Sequence, residues 1–89
     1  MAFTLEQMKA RRITDSKLEA RERILALYPL EIQLSALFGI YNARPMGDPK
    51  NPTTMKNAIQ AIIDRQNALE AQVNSMNDVD AIDALKFDI

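Results

Sequence analysis

The chain has 89 residues, with eleven Lys and Arg against twelve Asp and Glu and with no histidine, cysteine or tryptophan. A domain this short buries only about 60–65% of the surface its unfolded form exposes. No disulfide can reinforce it, and the usual zinc and haem sites are excluded. A net charge of −1 argues against a protein whose main partner is the phosphate backbone of nucleic acid.

Charge is nonetheless uneven along the chain. Residues 1–24 hold Lys9, Arg11, Arg12, Lys17, Arg21 and Arg23, while residues 77–89 hold Asp78, Asp80, Asp83 and Asp88 against Lys86 alone. No apolar run approaches the ~18 residues of a membrane span. The N-terminus lacks a charged-then-apolar signal pattern, so the chain reads as made in a cytoplasm and without a membrane partner.

Thr4 and Gln7 have the spacing of a capping box, in which each side chain satisfies a free backbone N–H at a helix start. This predicts a short helix over 5–12, with Phe3, Leu5 and Met8 forming either a docking segment or a frayed end. Thr14 and Asp15 are suited to cap a second helix, carried onward by Leu18, Ile24, Leu25, Leu27 and Tyr28. Its charged residues alternate in sign, as on a solvated helix face.

Pro29 removes a backbone donor and disfavours a helical Tyr28, so a kink or a fresh start falls there. Leu30, Leu34, Leu37 and Tyr41 then recur at steps of 4, 3 and 4, widened by Ile32, Phe38 and Ile40. So apolar a stretch is expected to be covered, by the long helix, by another copy or by a partner protein. From 42 to 52 the density of Pro, Gly, Asn and Asp marks the connecting loop, with Asn51 as helix cap and Pro52 as first helical residue.

Met55, Ile59, Ile62, Gln66, Leu69, Val73 and Met76 follow at alternating steps of 4 and 3, the seam of a coiled-coil-like helix over 52–76. Packed against 30–41 of its own chain, the seam makes a hairpin core; packed against copies, it makes an oligomer. A parallel arrangement pairs Arg65 of one copy with Glu70 of the next and lets equivalent Gln66 amides bond one another. That arrangement is favoured here, with a trimer as the expected copy number. Asn77 or Asp78 caps a last short helix with Val79, Ile82 and Leu85 at steps of three, and Phe87 and Ile89 extend its apolar content.

No catalytic constellation emerges. Ser16, Ser35 and Ser75 lack a neighbouring base, Asp80 and Asp83 sit three apart on a short terminal helix, and no glycine-rich phosphate loop is present. No enzyme and no cofactor are expected. The arginines near the N-terminus have no interleaved aromatic residues, which makes nucleic-acid binding a minor option.

Tyr28-Pro29 followed by Gln33, a Pro/Gly loop, Met55, Ile59 and Ile62-Ile63 running into Asn67-Ala68-Leu69-Glu70-Ala71, and then Asp78-Val79-Asp80-Ala81-Ile82, resembles the helical-hairpin segments of tail-fibre and baseplate-associated proteins of tailed bacteriophages. The resemblance covers about residues 21–87. The family's usual aromatic residue near the end is here Phe87, a departure from the pattern, and the resemblance implies a location near sites of fibre attachment or assembly and no catalytic residues. The combined expectation is one all-α domain, with a helix over 15–43 kinked at Pro29, a loop over 44–51, a helix over 52–76 and short flanking helices. Its expected role is that of a virion structural protein that self-associates and joins or supports a tail fibre at the tail or baseplate. The alternative is a tail or tail-fibre assembly chaperone that shields an apolar partner surface.

Overall fold

The Thr4 capping box forms as its spacing predicts: Gln7 N–H donates to Thr4 Oγ1 at 3.2 Å and Thr4 N–H donates to Gln7 Oε1 at 3.1 Å. In the computed structural model, which describes residues 3–85, it opens a helix far longer than expected. The four helices are α1 (Leu5–Leu27), α2 (Leu30–Leu37), α3 (Pro52–Ser75) and α4 (Val79–Ala84), and no strand occurs among the described residues. Phe87 and Ile89, expected to continue the apolar C-terminal segment, lie outside the described residues.

The expected break at Thr14 and Asp15 does not occur; both lie inside α1. Cap preferences start a helix only where the chain has reason to stop, and 5–27 contain neither Pro nor Gly. Continuity also has a tertiary return. Met8, Arg12, Ser16 and Ala20 lie four apart and are all buried on one face, which a break at 13–15 would split in two.

α1 ends at Tyr28, whose extended backbone (φ −134°, ψ 90°) is what the following proline demands. Pro29 then starts α2, with Ile32 and Gln33 N–H donating to its carbonyl, and Gln33 Nε2 donates to the Tyr28 carbonyl at 2.7 Å. The expected helix to residue 43 stops at Leu37. Gly39 takes a left-handed conformation (φ 83°), and its N–H donates to Ala36 O while Ile40 N–H donates to Ser35 O. That pair of reversed bonds satisfies the last carbonyls of α2 and turns the chain away.

Turns fill 38–50 and are fastened from the far side by Asn51. Its Nδ2 donates to Arg44 O at 2.6 Å, and its Oδ1 accepts from Thr53 and Thr54 N–H. α3 therefore starts where expected, with Pro52 in the first turn. At the far end Asp78 Oδ1 accepts from Asp80 N–H and starts α4.

α3 runs back antiparallel along α1. Lys9 Nζ donates to Asn74 O at 3.0 Å and Gln66 Nε2 donates to Ser16 Oγ at 3.2 Å, so numbers rise on one helix as they fall on the other. The core contains Met8 and Ala20 from α1, Ile62, Leu69 and Val73 from α3, and Ile82 from α4, with Leu5, Ile13, Ile24, Met76, Val79 and Leu85 packed around them. α2 contributes nothing to it. The Cα radius of gyration is 16.5 Å and the long dimension 53 Å, whereas a compact domain of this length has a radius near 12 Å. The molecule is a rod, with its core along α1 and α3 and an apolar helix beyond that core.

Candidate interaction surface

The sequence seam is a buried seam, but its counterpart is α1. Met55, Ile62, Gln66, Leu69 and Val73 are buried, and Ile59 and Met76 are half-buried. The expectation that it packs on 30–41 is corrected by this register for the stretch from Ile62 to Met76, whereas Met55 and Ile59 share a groove with Ala36 and Leu37 of α2. The cause lies in α1: once the helix continues through 14 and 15, it offers a stripe from Leu5 to Ile24 that matches α3 in length. Arg65 is exposed and Glu70 half-buried on the flanks of α3. With the seam facing α1, nothing sets a register that would pair them between copies.

Gln66 finds its partner within the chain rather than in copies of itself. Ser16 Oγ accepts from Gln66 and donates to Ile13 O at 2.7 Å, so a two-bond relay links α3 to the backbone of α1. No described buried side-chain polar atom lacks a partner. A buried cation at the α4 end was not legible as such: Arg12, 7% exposed, donates through Nε to Leu85 O at 2.8 Å and pairs with Glu19 at 3.4 Å. It ties the end of α4 to α1.

The three N-terminal residues expected to dock divide between body and surface. Met8 is in the core and Leu5 packs beside it, while Phe3 is exposed with the Arg11 guanidinium 4.9 Å from its ring centre. Met8 and Leu5 therefore hold α1 to the rest of the fold.

The apolar face expected at Leu30, Leu34, Leu37, Phe38 and Tyr41 is open over most of its extent. No residue of α2 is buried; Leu37 is 79% and Phe38 78% exposed. Leu27, Leu30, Leu34, Ile40 and Met46 are exposed as well. Tyr41 differs: it is half-buried, with Arg44 and Lys50 cations 5.7 and 5.5 Å from its ring centre. Leu27 and Met46 were not singled out for this surface, because each lies in a segment that reads as a helix end or a turn.

Two grooves border α2 and extend the apolar surface onto the body. One, of about 500 Å³, is lined in part by Leu25, Leu30 and Ile63. The other, of about 350 Å³, is lined in part by Ala36, Leu37, Met55 and Ile59. Between Arg23 and Arg44 the only charged residue is Glu31, while Lys17 and Arg21 line the groove at Leu30, Lys56 lines the groove at Leu37, and Arg44, Asp48 and Lys50 follow in the turn. Monomeric soluble proteins rarely expose a continuous apolar patch beyond about 300–600 Å², and here Leu30, Leu34, Leu37, Phe38, Ile40 and Met46 are all exposed within one short stretch.

Below this surface the 44–51 turn is held by charge. Arg44 pairs with Asp48 at 3.3 Å and Lys50 N–H donates to Asp48 Oδ1 at 2.8 Å. The Lys50 N–H bond is the main reason that the Asp48 carboxyl is held below its ordinary 3.8, with Arg44 assisting. Among the described residues, no helix is long and apolar enough to cross a membrane and no cluster of acidic residues is placed to hold a metal ion. Neither protein-family models, curated proteins nor solved structures yield a match to the chain.

Proposed function

We propose that this chain is a non-enzymatic structural protein of a tailed-bacteriophage particle. It resides in the tail, is made in the host cytoplasm, self-associates through helices, and joins or supports a tail fibre at the tail or baseplate. The phage assignment rests on the sequence resemblance over residues 21–87. The mechanism rests on one observation: a helix with no buried residue, 30–37, stands at the end of a body whose own core is complete without it.

Such a helix contributes to a protein–protein contact what the body does not need for folding. Burying a leucine or phenylalanine side chain contributes about 1.5–3 kcal/mol, and apolar anchors near the centre of a contact supply most of its strength. A surface of this kind suits a subunit that is permanently covered in an assembly. The folded-back α1 and α3 then act as a stiff spacer, with the start of α1 and the acidic α4 at the opposite pole for a fibre or baseplate protein.

The second reading, an assembly chaperone, draws support from the placement of the α3 seam inside the chain. A body that needs no second copy to complete its core can travel alone and present α2 to a client. Purified particles decide between the two. Immunodetection of the chain in particles banded on a density gradient supports the structural subunit, whereas its presence only in the lysate of infected cells, and never in particles, supports the chaperone. Detection in neither fraction sinks both.

A further inference from the structure

We propose that the open face of α2 is the surface through which two copies of this chain pair, related by a two-fold axis. This deepens the self-association in the functional reading and moves it from the α3 seam, which packs on α1, to the end of the rod that carries α2.

Area carries the first part of the argument. Leu27, Leu30, Leu34, Leu37, Phe38, Ile40 and Met46 together expose on the order of 900 Å², which is about one side of a standard-size stable interface. A contact that covers most of these side chains, together with the grooves beside them, would bury enough to sustain a dimer.

Charge carries the second part. A two-fold contact sets a patch against its own image, so every charge it contains meets a like charge or must lie at the rim. Here the twenty positions from 24 to 43 contain one charged side chain, Glu31. The exposed leucines of α2 and Phe38 can therefore meet their own images with Glu31 as the one charge in that segment, and Lys17 and Arg21 in the groove at Leu30 and Lys56 in the groove at Leu37 must then lie at the rim of the contact.

Shape agrees with both. Leu30, Leu34 and Leu37 lie at steps of 4 and 3 on one stripe of α2, the spacing by which helices interdigitate. The grooves beside Leu30 and Leu37 give the side chains of a second α2 somewhere to settle. Gly39 and the turn after it end the helix, which limits the contact to two short helices and their flanking loops and closes it at two copies.

The test is the absolute mass of the full chain by light scattering over a dilution series, with Leu37→Glu/Phe38→Glu beside the parent. Both positions are exposed, so the double variant is expected to keep full helicity. The parent is expected at twice 10.1 kDa when concentrated, and the variant at the single-chain mass, with the dissociation constant raised on the order of 100-fold or more. The chain has no cysteine, so under oxidised glutathione Phe38→Cys exchanges to a glutathione mixed disulfide, and any protein–protein disulfide formed when a second chain's thiolate displaces the glutathione is interchain. Phe38→Cys is expected to cross-link faster than Glu6→Cys on the other end of α1.

A parent that stays monomeric at every concentration overturns the proposal. So does a dimer indifferent to the Glu pair, or equal cross-linking at 38 and 6. The particle experiment remains separate: a monomer found in particles sinks the pairing alone, and a dimer absent from particles and lysate sinks the phage reading alone.

Discussion

Ile62 and Leu37 are both aliphatic helix residues, yet truncating them should have opposite consequences. Ile62 on α3 is 3% exposed and lies within the core; Leu37 on α2 is 79% exposed. Ile62→Ala removes three buried carbons at about 0.8 kcal/mol each and leaves a partly collapsed cavity, giving about 3 kcal/mol of destabilisation. For a domain of this size the melting temperature should fall by roughly 12–24 °C. The loss is a large share of the ~4–13 kcal/mol total stability expected for such a chain. Leu37→Ala should change stability by no more than about 0.5 kcal/mol, as for other exposed positions. The assay is urea unfolding followed by far-UV circular dichroism, in protein dilute enough to be monomeric. Equal losses at the two sites, or a greater loss at Leu37, would refute the assignment of the α3 seam to the intramolecular core.

Other parts of the fold give independent expectations. Ser16→Ala strips the acceptor from the buried Gln66 amide and should cost about 1–2 kcal/mol, while adding Gln66→Leu should recover part of that loss. A double variant less stable than Ser16→Ala alone in thermal melts contradicts the relay. Arg12→Met removes the donor to Leu85 O and should speed amide hydrogen exchange in α4 well before α3. Arg12→Lys should not restore protection, since an ammonium cannot reproduce the guanidinium fork, and unchanged exchange in α4 argues against the tie. Because the folded-state pKa of Asp48 lies below 3.8, its contribution to the turn is present above pH 3.8 and is lost as pH falls through the lower folded value. The Lys50 amide NMR shift should follow that titration, and a midpoint at or above 3.8 contradicts the turn geometry.

The parts of this fold that were legible in sequence are those fixed by local chemistry. Pro29 forces Tyr28 out of the helix whatever surrounds it, Asn51-Pro52 starts α3, and the 4–3 spacing from Met55 to Met76 is a property of one helix. The misplacement of α3's partner came from one local decision at Thr14 and Asp15. Their capping preference is worth about a kilocalorie, and the uninterrupted buried stripe from Met8 to Ala20 outweighs it. A second sign went unused: Gly39 lies one residue beyond a natural helix end and could have limited α2 to 30–37.

The same misreading hid two polar contacts and kept one surface visible. Arg12 looked like one of several basic residues near the N-terminus, yet its spacing of four from Met8 and from Ser16 puts it on the buried face. Gln66 was evident as a polar residue in an apolar seam, but a serine fifty residues away is beyond any local pattern. The apolar face of 30–41 was legible as a surface in need of cover. The proposed cover is a second molecule, and no periodicity within one chain encodes that.

The most direct test of the account is the melting of Leu37→Glu/Phe38→Glu across a wide range of concentrations, followed by far-UV circular dichroism. With the seam packed against α1 of the same chain, the variant should stay fully helical on dilution and melt cooperatively at one temperature throughout. A variant that loses helicity on dilution, or whose melting temperature falls with concentration, would place the seam between chains and contradict the fold from which the α2 surface was inferred.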